Sequence, residues 1–245
     1  MKTDCMAYLF RYALTFTLVA SLPLAASAAN SIGISMMRDD GTGKMEPATT
    51  AGVEGVRQAN WNNLSINGDD PNGHSNSGEL TELVDSNGDK VAKMRVDVQA
   101  SSSTQLFPAK GVEWGFIDGD AKLIEGLAYP QPTIVVSNIP YDKYDVYVYA
   151  GQGNKGGHAK GSILGMGGTF GKDPVQQTYF LNYAWNDGQF VQGGAKDLEE
   201  SKASVPSNYF LFKDLRGDDF TFDFDGKQAG GGWAGVAGIQ IVEKR

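Results

Sequence analysis

The sequence predicts an all-β fold, an antiparallel β-sandwich of the jelly-roll type with about ten strands and at most one short helix. Short segments rich in valine, isoleucine and aromatic residues recur along the chain, and turn residues separate them. Thirty-two glycines accompany ten tyrosines and twelve phenylalanines, a composition typical of strands joined by tight turns. Long stretches with helical periodicity are hard to find, which disfavours a helical fold.

The predicted strands cover residues 31–36, 79–84, 91–99, 133–137, 144–150, 159–164, 176–183, 188–192, 208–212, 219–224 and 235–242. In the third of these, Val96 and Val98 alternate with charged residues, the period of a strand with one buried face. Residues 220, 222 and 224 are all phenylalanine, so three rings should share one face of their strand. Residues 120–127 fit one short helical turn, and residues 39–50, 67–78 and 151–157 are predicted loops. The first and last strands are expected to lie together.

Residues 85–89 predict a hairpin, because Asn87 is followed by Gly88 and Asn-Gly favours a tight two-residue turn. Oxygen-bearing side chains alternate there as in half of a calcium-binding loop. The sixth and twelfth places of such a loop hold Lys90 and Val96 instead of glycine and an acid, which favours the hairpin. Residues 39–40 and 118–120 are other candidate oxygen ligands. A structural calcium ion is compatible with the fold class, but the sequence does not locate a site for it.

Residues 1–28 predict a cleaved secretory signal peptide. Lys2 and Arg11 supply positive charge, residues 12–26 are an apolar run, and residues 26–28 form an Ala-Ser-Ala cleavage site. The run is shorter than the roughly 20 residues that a membrane span requires. Residues 29–245 are then predicted to be one β-sandwich domain, secreted to the extracellular space or the periplasm and not an integral membrane protein after cleavage. The alternative is a short N-terminal anchor that stays uncut.

Charge and cysteine content exclude several classes of function. The net charge of −8 disfavours nucleic-acid binding, because an acidic surface repels phosphate groups. The single cysteine, Cys5, lies in the predicted signal peptide, which excludes disulfides and thiolate chemistry in the exported chain. Two histidines, His74 and His158, do not suffice for a three-histidine zinc site, and no Gly-x-Ser-x-Gly motif is present.

Several short motifs follow one another in an order that resembles a known group of proteins. They are Ile-Gly-Ile at residues 32–34, Ala-Gly-Val at 51–53, Asn-Trp-Asn-Asn-Leu at 60–64, Tyr-Asp-Val-Tyr-Val-Tyr at 144–149, Asn-Tyr-Phe-Leu-Phe at 208–212 and Gly-Ile-Gln-Ile-Val at 238–242. The pattern resembles uncharacterised secreted bacterial proteins with a jelly-roll domain of the galactose-binding-like type. The resemblance implies a β-sandwich and, by analogy, carbohydrate or glycoconjugate binding. It implies no catalytic residues.

Sugar recognition uses an aromatic face with amides or carboxylates beside it. Trp185 lies beside such groups at a predicted turn, and Trp233 follows three glycines on a predicted loop before the last strand. The predicted ligand-binding residues are Trp185, Asn186, Asp187 and Trp233, with Lys155 and His158 at the rim. The alternative is that the rings pack in the core, which is the favoured interpretation for all four tryptophans and more so for Trp61 and Trp114. The amides of Asn60, Asn62 and Asn63 suit polyol recognition, although bonds to neighbouring backbone are the favoured interpretation.

These observations predict a secreted, non-catalytic module that binds a carbohydrate or cell-surface glycoconjugate. Two alternatives stay open. The first is a structural or adhesive protein of an extracellular matrix or envelope, which the glycine-rich sequence also suits. The second is a glycan-active hydrolase, with Glu113 and Asp118 as candidate carboxylates.

Overall fold

A computed structural model describes residues 29–38, 41, 43–66, 76–100, 102–105, 110–152, 157–166, 175–183, 187–230 and 234–244. It confirms a mostly β, sandwich-like arrangement of two large sheets with one small hairpin. The predicted signal peptide, residues 1–28, lies outside the described residues. Within the described part of the chain, no helix is both long enough and apolar enough to cross a membrane.

The strands, in chain order, are β1 (Ser31–Arg38), β2 (Asn62–Ile66), β3 (Asn76–Leu80), β4 (Leu83–Val84), β5 (Lys90–Val91), β6 (Arg95–Ala100), β7 (Ser102–Gln105), β8 (Gly126–Tyr129), β9 (Thr133–Ser137), β10 (Lys143–Gln152), β11 (Gly157–Met166), β12 (Gln176–Tyr183), β13 (Gln192–Gly193), β14 (Tyr209–Arg216), β15 (Asp219–Gly230) and β16 (Ala234–Glu243). Three short helices are α1 (Lys110–Glu113), α2 (Asp118–Leu123) and α3 (Leu198–Ala203).

One sheet has eight strands, of which six run in the order β13-β14-β10-β16-β1-β2, while β8 pairs with β16 and β7. The other sheet has six strands in the order β12-β11-β15-β9-β6-β3, and β4 with β5 forms the hairpin. Most pairs are antiparallel, but β1–β2 and β13–β14 are parallel. The first and last strands, β1 and β16, pair antiparallel, which confirms the prediction that they lie together.

Most predicted strands are confirmed, and those at residues 133–137 and 176–183 coincide with β9 and β12. The strand and helix numbers are corrected: the described residues form more than ten strands, and three short helices replace the single helical turn. The predicted turn at residues 120–127 starts and ends earlier, as α2. The chain then enters β8 at Gly126, where a Cβ would lie 1.9 Å from the Met36 carbonyl oxygen of β1.

Three further strand predictions are wrong in their extent. Residues 79–84 are divided between β3 and β4, and residues 91–99 between β5 and β6. The register changes between the two hairpin segments, because Leu83 pairs with Val91 whereas Leu80 pairs with Val96, which leaves two extra residues on the second arm. A turn at residues 92–93, with Lys93 at φ 64°, holds the extra residues. The strand expected at 188–192 shrinks to β13, because residues 187–188 form a turn instead.

The main core lies between the two sheets. Strands β14 and β15 supply its aromatic centre, where Phe222 contacts Phe210, Phe212 and Phe224 at ring-centroid distances of 5.8 to 6.3 Å. Phe220, Phe222 and Phe224 are all buried, which confirms that the three rings share one face. This apolar burial is the main favourable term in folding.

A second apolar cluster covers the outer face of the eight-stranded sheet. Its cover consists of residues 43–61 together with α1 and α2, and we call it the cap. Gly33 and Gly238 leave room for the Trp61 ring, since a Cβ at Gly33 would lie 2.7 Å from it. Leu123 of α2 packs beside Gly238. Strand β16 is therefore buried on both faces, from Ala234 to Val242.

A buried polar network ties the cap to the sheet. The Tyr149 hydroxyl donates to Oε1 of Gln240 at 2.7 Å and accepts from the Val53 N–H at 3.1 Å. Gln240 Nε2 donates in turn to Oε1 of Gln58 and to the carbonyl oxygen of Val56. Because every member has a partner, the network adds to stability and specifies how the cap lies.

Replacing Tyr149 with phenylalanine should lower the free energy of unfolding by about 1–3 kcal/mol, since it leaves buried Gln240 and Val53 groups without a partner. Urea unfolding measures this change. Tyr179→Phe is the matched control, because it removes a half-buried tyrosine hydroxyl outside the network. Equal stability of the two variants would contradict a stabilising role for the network.

Candidate functional site

Strand β10 places its side chains alternately on the two faces of the eight-stranded sheet. Tyr144, Val146 and Val148 point into the core between the sheets, whereas Tyr147 and Tyr149 belong to the cluster on the outer face. Tyr149 lies beneath the cap and is fully buried. Tyr147, two residues earlier, is only half-buried.

The edge of the cap leaves a group of apolar side chains partly uncovered. Tyr147 pairs in register with Leu211 of β14, and its ring stacks on Tyr209 at a centroid distance of 6.1 Å and an angle of 25°. Tyr149 contacts both Tyr209 and Phe190, at 6.3 and 5.0 Å, and so joins Phe190 to the group. Tyr147, Phe190 and Leu211 are half-buried and Tyr209 is 7% exposed. We call Tyr147, Phe190, Tyr209 and Leu211 the tyrosine platform.

Charged groups lie beside the tyrosine platform, on β10, on β14 and immediately after β16. Lys244 Nζ lies 2.9 Å from Oδ1 of Asp214 and 3.5 Å from Oδ1 of Asp145, and Lys143 Nζ lies 2.7 Å from the same Asp214 oxygen. Hydrogen bonds from the two lysines lower the pKa of Asp214 to about 2. Burial, and then the charge of Asp145, raise the pKa of the Tyr147 phenol, which therefore stays a neutral donor at physiological pH.

This arrangement joins an apolar aromatic surface to oriented polar groups. A pyranose ring presents an apolar face of C–H groups and a rim of hydroxyls, so its recognition requires both elements. Tyr209 supports the Tyr147 ring and is itself in contact with buried Tyr149, which limits the conformational freedom that binding would remove.

Of the predicted ligand-binding residues, Trp185, Asn186, Trp233 and Lys155 lie outside the described residues. Asp187 is exposed and has φ 48°. Its turn rests against the turn after α1, where a Cβ at Gly115 would lie 2.8 Å from the Asp187 carbonyl carbon. Asp187 stands three residues before Phe190 of the tyrosine platform.

His158 lies on the other sheet. It pairs in register with Asn182 and Ala229, and its Nδ1 lies 2.8 Å from Oγ of Ser201 in α3. Ser201 is fully buried, so its hydroxyl is not accessible to a substrate and the contact fastens α3 to the sheet. Desolvation, and then the charge of Lys202, lower the pKa of His158 below its ordinary value of 6.5.

Trp61 and Trp114 are each 4% exposed, which confirms their predicted place in the core. The nearby amides bind backbone, as expected. Asn62 bonds the carbonyl oxygens of Gly33 and Val84 and accepts from the Val84 N–H, while Asn63 bonds both backbone groups of Met45. These amides therefore fix β2 and the cap.

Residues 85–89 form the predicted hairpin turn between β4 and β5. Oδ1 of Asp85 accepts from the N–H groups of Asn87 and Asp89 at 2.8 and 3.0 Å, so this carboxylate closes the turn. In the ranges that the structure describes, no three histidine, cysteine, aspartate or glutamate side chains are grouped as a metal ion would require. A bound structural calcium ion stays a prediction. Ligand-binding assays in the presence of calcium and in the presence of a chelator test it.

Comparisons with protein-family models, with curated proteins and with solved structures find no match to this chain. The resemblance to galactose-binding-like proteins therefore stays a prediction. The candidate site is argued from the side chains of the chain itself.

Sequence reasoning did not single out the tyrosine platform. The alternation of Tyr144 to Tyr149 was visible as a strand, but both faces of that strand carry tyrosine. Which tyrosine reaches the surface depends on where the cap ends, and residues distant in sequence set that edge. The charged residue Asp145 was the one local indication that the face it shares with Tyr147 reaches the surface.

The lowered pKa of His158 predicts a pH-dependent stability. A histidine that binds its proton less well when folded contributes stability above pH 6.5, and this contribution is lost as the pH falls below 6.5. The difference in unfolding free energy between the natural protein and His158→Gln should therefore be smaller at pH 5.5 than at pH 7.5. Urea unfolding at both values measures it, and a difference that does not change with pH would contradict the prediction.

Proposed function

We propose that the chain is a secreted, non-catalytic binding module whose ligand is a carbohydrate or cell-surface glycoconjugate. The observation that carries the proposal is the half-buried Tyr147 ring, stacked on Tyr209 beside charged side chains held by ion pairs. The sugar stacks its apolar face on the tyrosine platform, and its hydroxyls bond the polar groups around it.

The polar partners have distinct roles in this proposal. The Tyr147 hydroxyl and the carboxylate of Asp145 bond sugar hydroxyls, since a neutral phenol donates and a carboxylate accepts. Lys244 holds Asp145 in place. Asp187, exposed on the turn that leads to Phe190, supplies a further acceptor at the edge of the platform. His158 lies on the outer face of the six-stranded sheet and takes no part.

Export from the cell suits this function, because cell-surface carbohydrates and glycoconjugates lie outside the cytoplasm. Residues 1–28 have the charge, apolar run and cleavage site of a signal peptide. The net charge of −8 favours a neutral or weakly charged polymer as ligand over nucleic acid. The motif order that resembles galactose-binding-like proteins points to the same class of ligand.

A structural or adhesive role is the second candidate, and the outer face of the six-stranded sheet favours it. Polar side chains there bond one another: Thr133 Oγ1 donates to Asp223 of the neighbouring strand at 2.7 Å, and Arg95 pairs with Glu79 of the neighbouring strand and with Asp97 of its own strand. Val135 between them is 38% exposed. Self-association in sedimentation experiments, without affinity for soluble glycans, would favour this role over ligand binding.

Tyr147→Ala should weaken glycan binding at least tenfold, about 1.4 kcal/mol, because it removes the stacking surface. A glycan array followed by titration calorimetry on residues 29–245 measures the change. The matched control is Phe180→Ala, which removes a half-buried ring from the outer face of the six-stranded sheet.

Two results would contradict this proposal. One is equal loss of affinity in both variants, which would place the ligand elsewhere. The other is a large fall in melting temperature for Tyr147→Ala, which would make Tyr147 a core residue instead of a binding residue.

A further inference from the structure

A concave surface lies at the edge of the cap, over the end of β16. It is a cleft of about 250 Å³. Four segments line it: the start of β1, the cap loop, the hairpin turn between β4 and β5, and the end of β16. The lining residues are 29, 31, 50, 55–59, 86–87 and 242, and we call this surface the cap-edge cleft.

The register of the sheet places the cap-edge cleft next to the tyrosine platform. Val242, in the floor of the cleft, pairs with Asp145 of β10 on one side and with Ser31 of β1 on the other. Tyr147 pairs with Gln240, two residues before Val242 on the same strand. A strand spacing of about 4.8 Å and a rise of about 3.3 Å per residue put the Cα atoms of Tyr147 and Val242 roughly 8 Å apart. The platform and the cleft are therefore neighbouring parts of one surface.

The floor of the cleft carries a hydroxyl group that has no protein partner. Ser31 is 3% exposed, and its backbone is held by Ser86: the Ser31 N–H donates to Ser86 Oγ and the Ser31 carbonyl oxygen accepts from the Ser86 N–H. In the part of the chain that the structure describes, the Ser31 hydroxyl itself forms no hydrogen bond. An almost buried hydroxyl of this kind gains a hydrogen bond when a ligand oxygen reaches it.

The rest of the lining combines apolar surface with neutral polar groups. Val242 in the floor is 7% exposed, and Val56 and Ala59 are half-buried on the side of the cap. Ser86 and Asn87 on the opposite side add a hydroxyl and an amide. The Asn87 amide nitrogen already donates within the chain, which leaves its oxygen to accept from a ligand. A sugar ring needs both kinds of surface, one for its C–H groups and one for its hydroxyls.

The side chains of the cleft offer no uncompensated charge. Arg57 is the one charged side chain among them, and it pairs with Asp120 while donating to the carbonyl oxygens of Gly52 and Thr50. An ionised ligand would lose hydration here without gaining an opposite charge. The lining therefore favours a neutral sugar unit over an acidic one.

We propose that the cap-edge cleft is a second sugar subsite that continues the tyrosine platform, so that the ligand is a neutral oligosaccharide chain. One unit stacks on Tyr147, and a neighbouring unit lies over Val242 with its hydroxyls bonded to Ser31, Ser86 and Asn87. This inference rests on the proposed function, because both subsites hold the same ligand. It goes further in requiring a chain, since a single sugar fills one subsite and linked units fill both.

The test is titration calorimetry with ligands of increasing length. The protein is residues 29–245 with no tag before Ala29, because Ala29 lines the cleft. The ligands are D-galactose, the β-linked galacto-oligosaccharides from disaccharide to tetrasaccharide, and the matching series built of D-glucose. We expect the affinity for the trisaccharide of one series to exceed that for its monosaccharide about tenfold or more, because the second subsite adds its contacts without a second loss of translational freedom.

Two variants assign the gain to the cleft. Ser31→Ala removes the unpartnered hydroxyl and should lower the ratio of trisaccharide to monosaccharide affinity about fivefold. Ala59→Leu fills the cleft and should bring this ratio close to one. The matched controls are Ser137→Ala, a half-buried serine of β9, and Ala203→Leu, an exposed alanine at the end of α3, and both should keep the ratio of the natural protein.

The results separate this inference from the proposed function. Tyr147→Ala should weaken the binding of monosaccharide and trisaccharide alike, and if it weakens neither, the proposed function fails. Equal affinities of the natural protein for monosaccharide and trisaccharide would overturn the cleft proposal alone. Equal ratios in Ser31→Ala and Ser137→Ala would overturn it as well, and no binding of any ligand would contradict both proposals. If Ala59→Leu lowers the melting temperature, Ser31→Ala alone decides the matter.

Discussion

The hydrogen bond between Tyr149 and Gln240 is the interaction on which the arrangement of this protein depends. It lies beneath the cap, on a sheet whose other face already packs against the second sheet. A strand buried on both faces has no water to satisfy its polar groups, so Gln240 must find partners in protein. Tyr149, Gln58 and the backbone of Val56 supply them, and the cap is thereby fixed to β16.

The candidate site follows from the position of the cap. Where it ends over β10, Tyr147 stays half-uncovered while Tyr149, two residues on, is buried. Where residues 43–61 meet α2, the hydrogen bond from the Gly52 N–H to Asp120 ties the two parts of the cap together. The same structural element thus closes the second core and shapes the surface around it.

Sequence reasoning identified the strands well, because alternation is a local property. The three phenylalanines of β15 and the hairpin at Asn87–Gly88 were predicted from neighbouring residues alone. The cap was not, since its contacts join Trp61 to glycines of β1 and β16. Strand β16 shows the limit most clearly: its nine consecutive buried residues carry no alternation, because two different layers cover its two faces.

The candidate site was harder to predict for the same reason. Trp61, Asn62 and Asn63 have the chemistry of a sugar site, yet the Trp61 ring is buried beneath the cap and the two amides bond backbone groups of neighbouring segments. Tyr147 resembled an ordinary strand residue, and its exposure depends on segments distant in sequence. Arg57 and Asp120 are 63 residues apart, so their pairing was beyond any local pattern.

Ring-labelled tyrosine NMR tests the central claim most directly. The exported protein, with ¹³C-labelled tyrosine rings, is titrated with neutral tetrasaccharides built of galactose or glucose. The account predicts that the ring signals of Tyr147 and Tyr209 shift saturably while those of Tyr141 and Tyr179 stay in place. Saturable binding that leaves Tyr147 and Tyr209 unshifted would contradict it, as would the absence of binding.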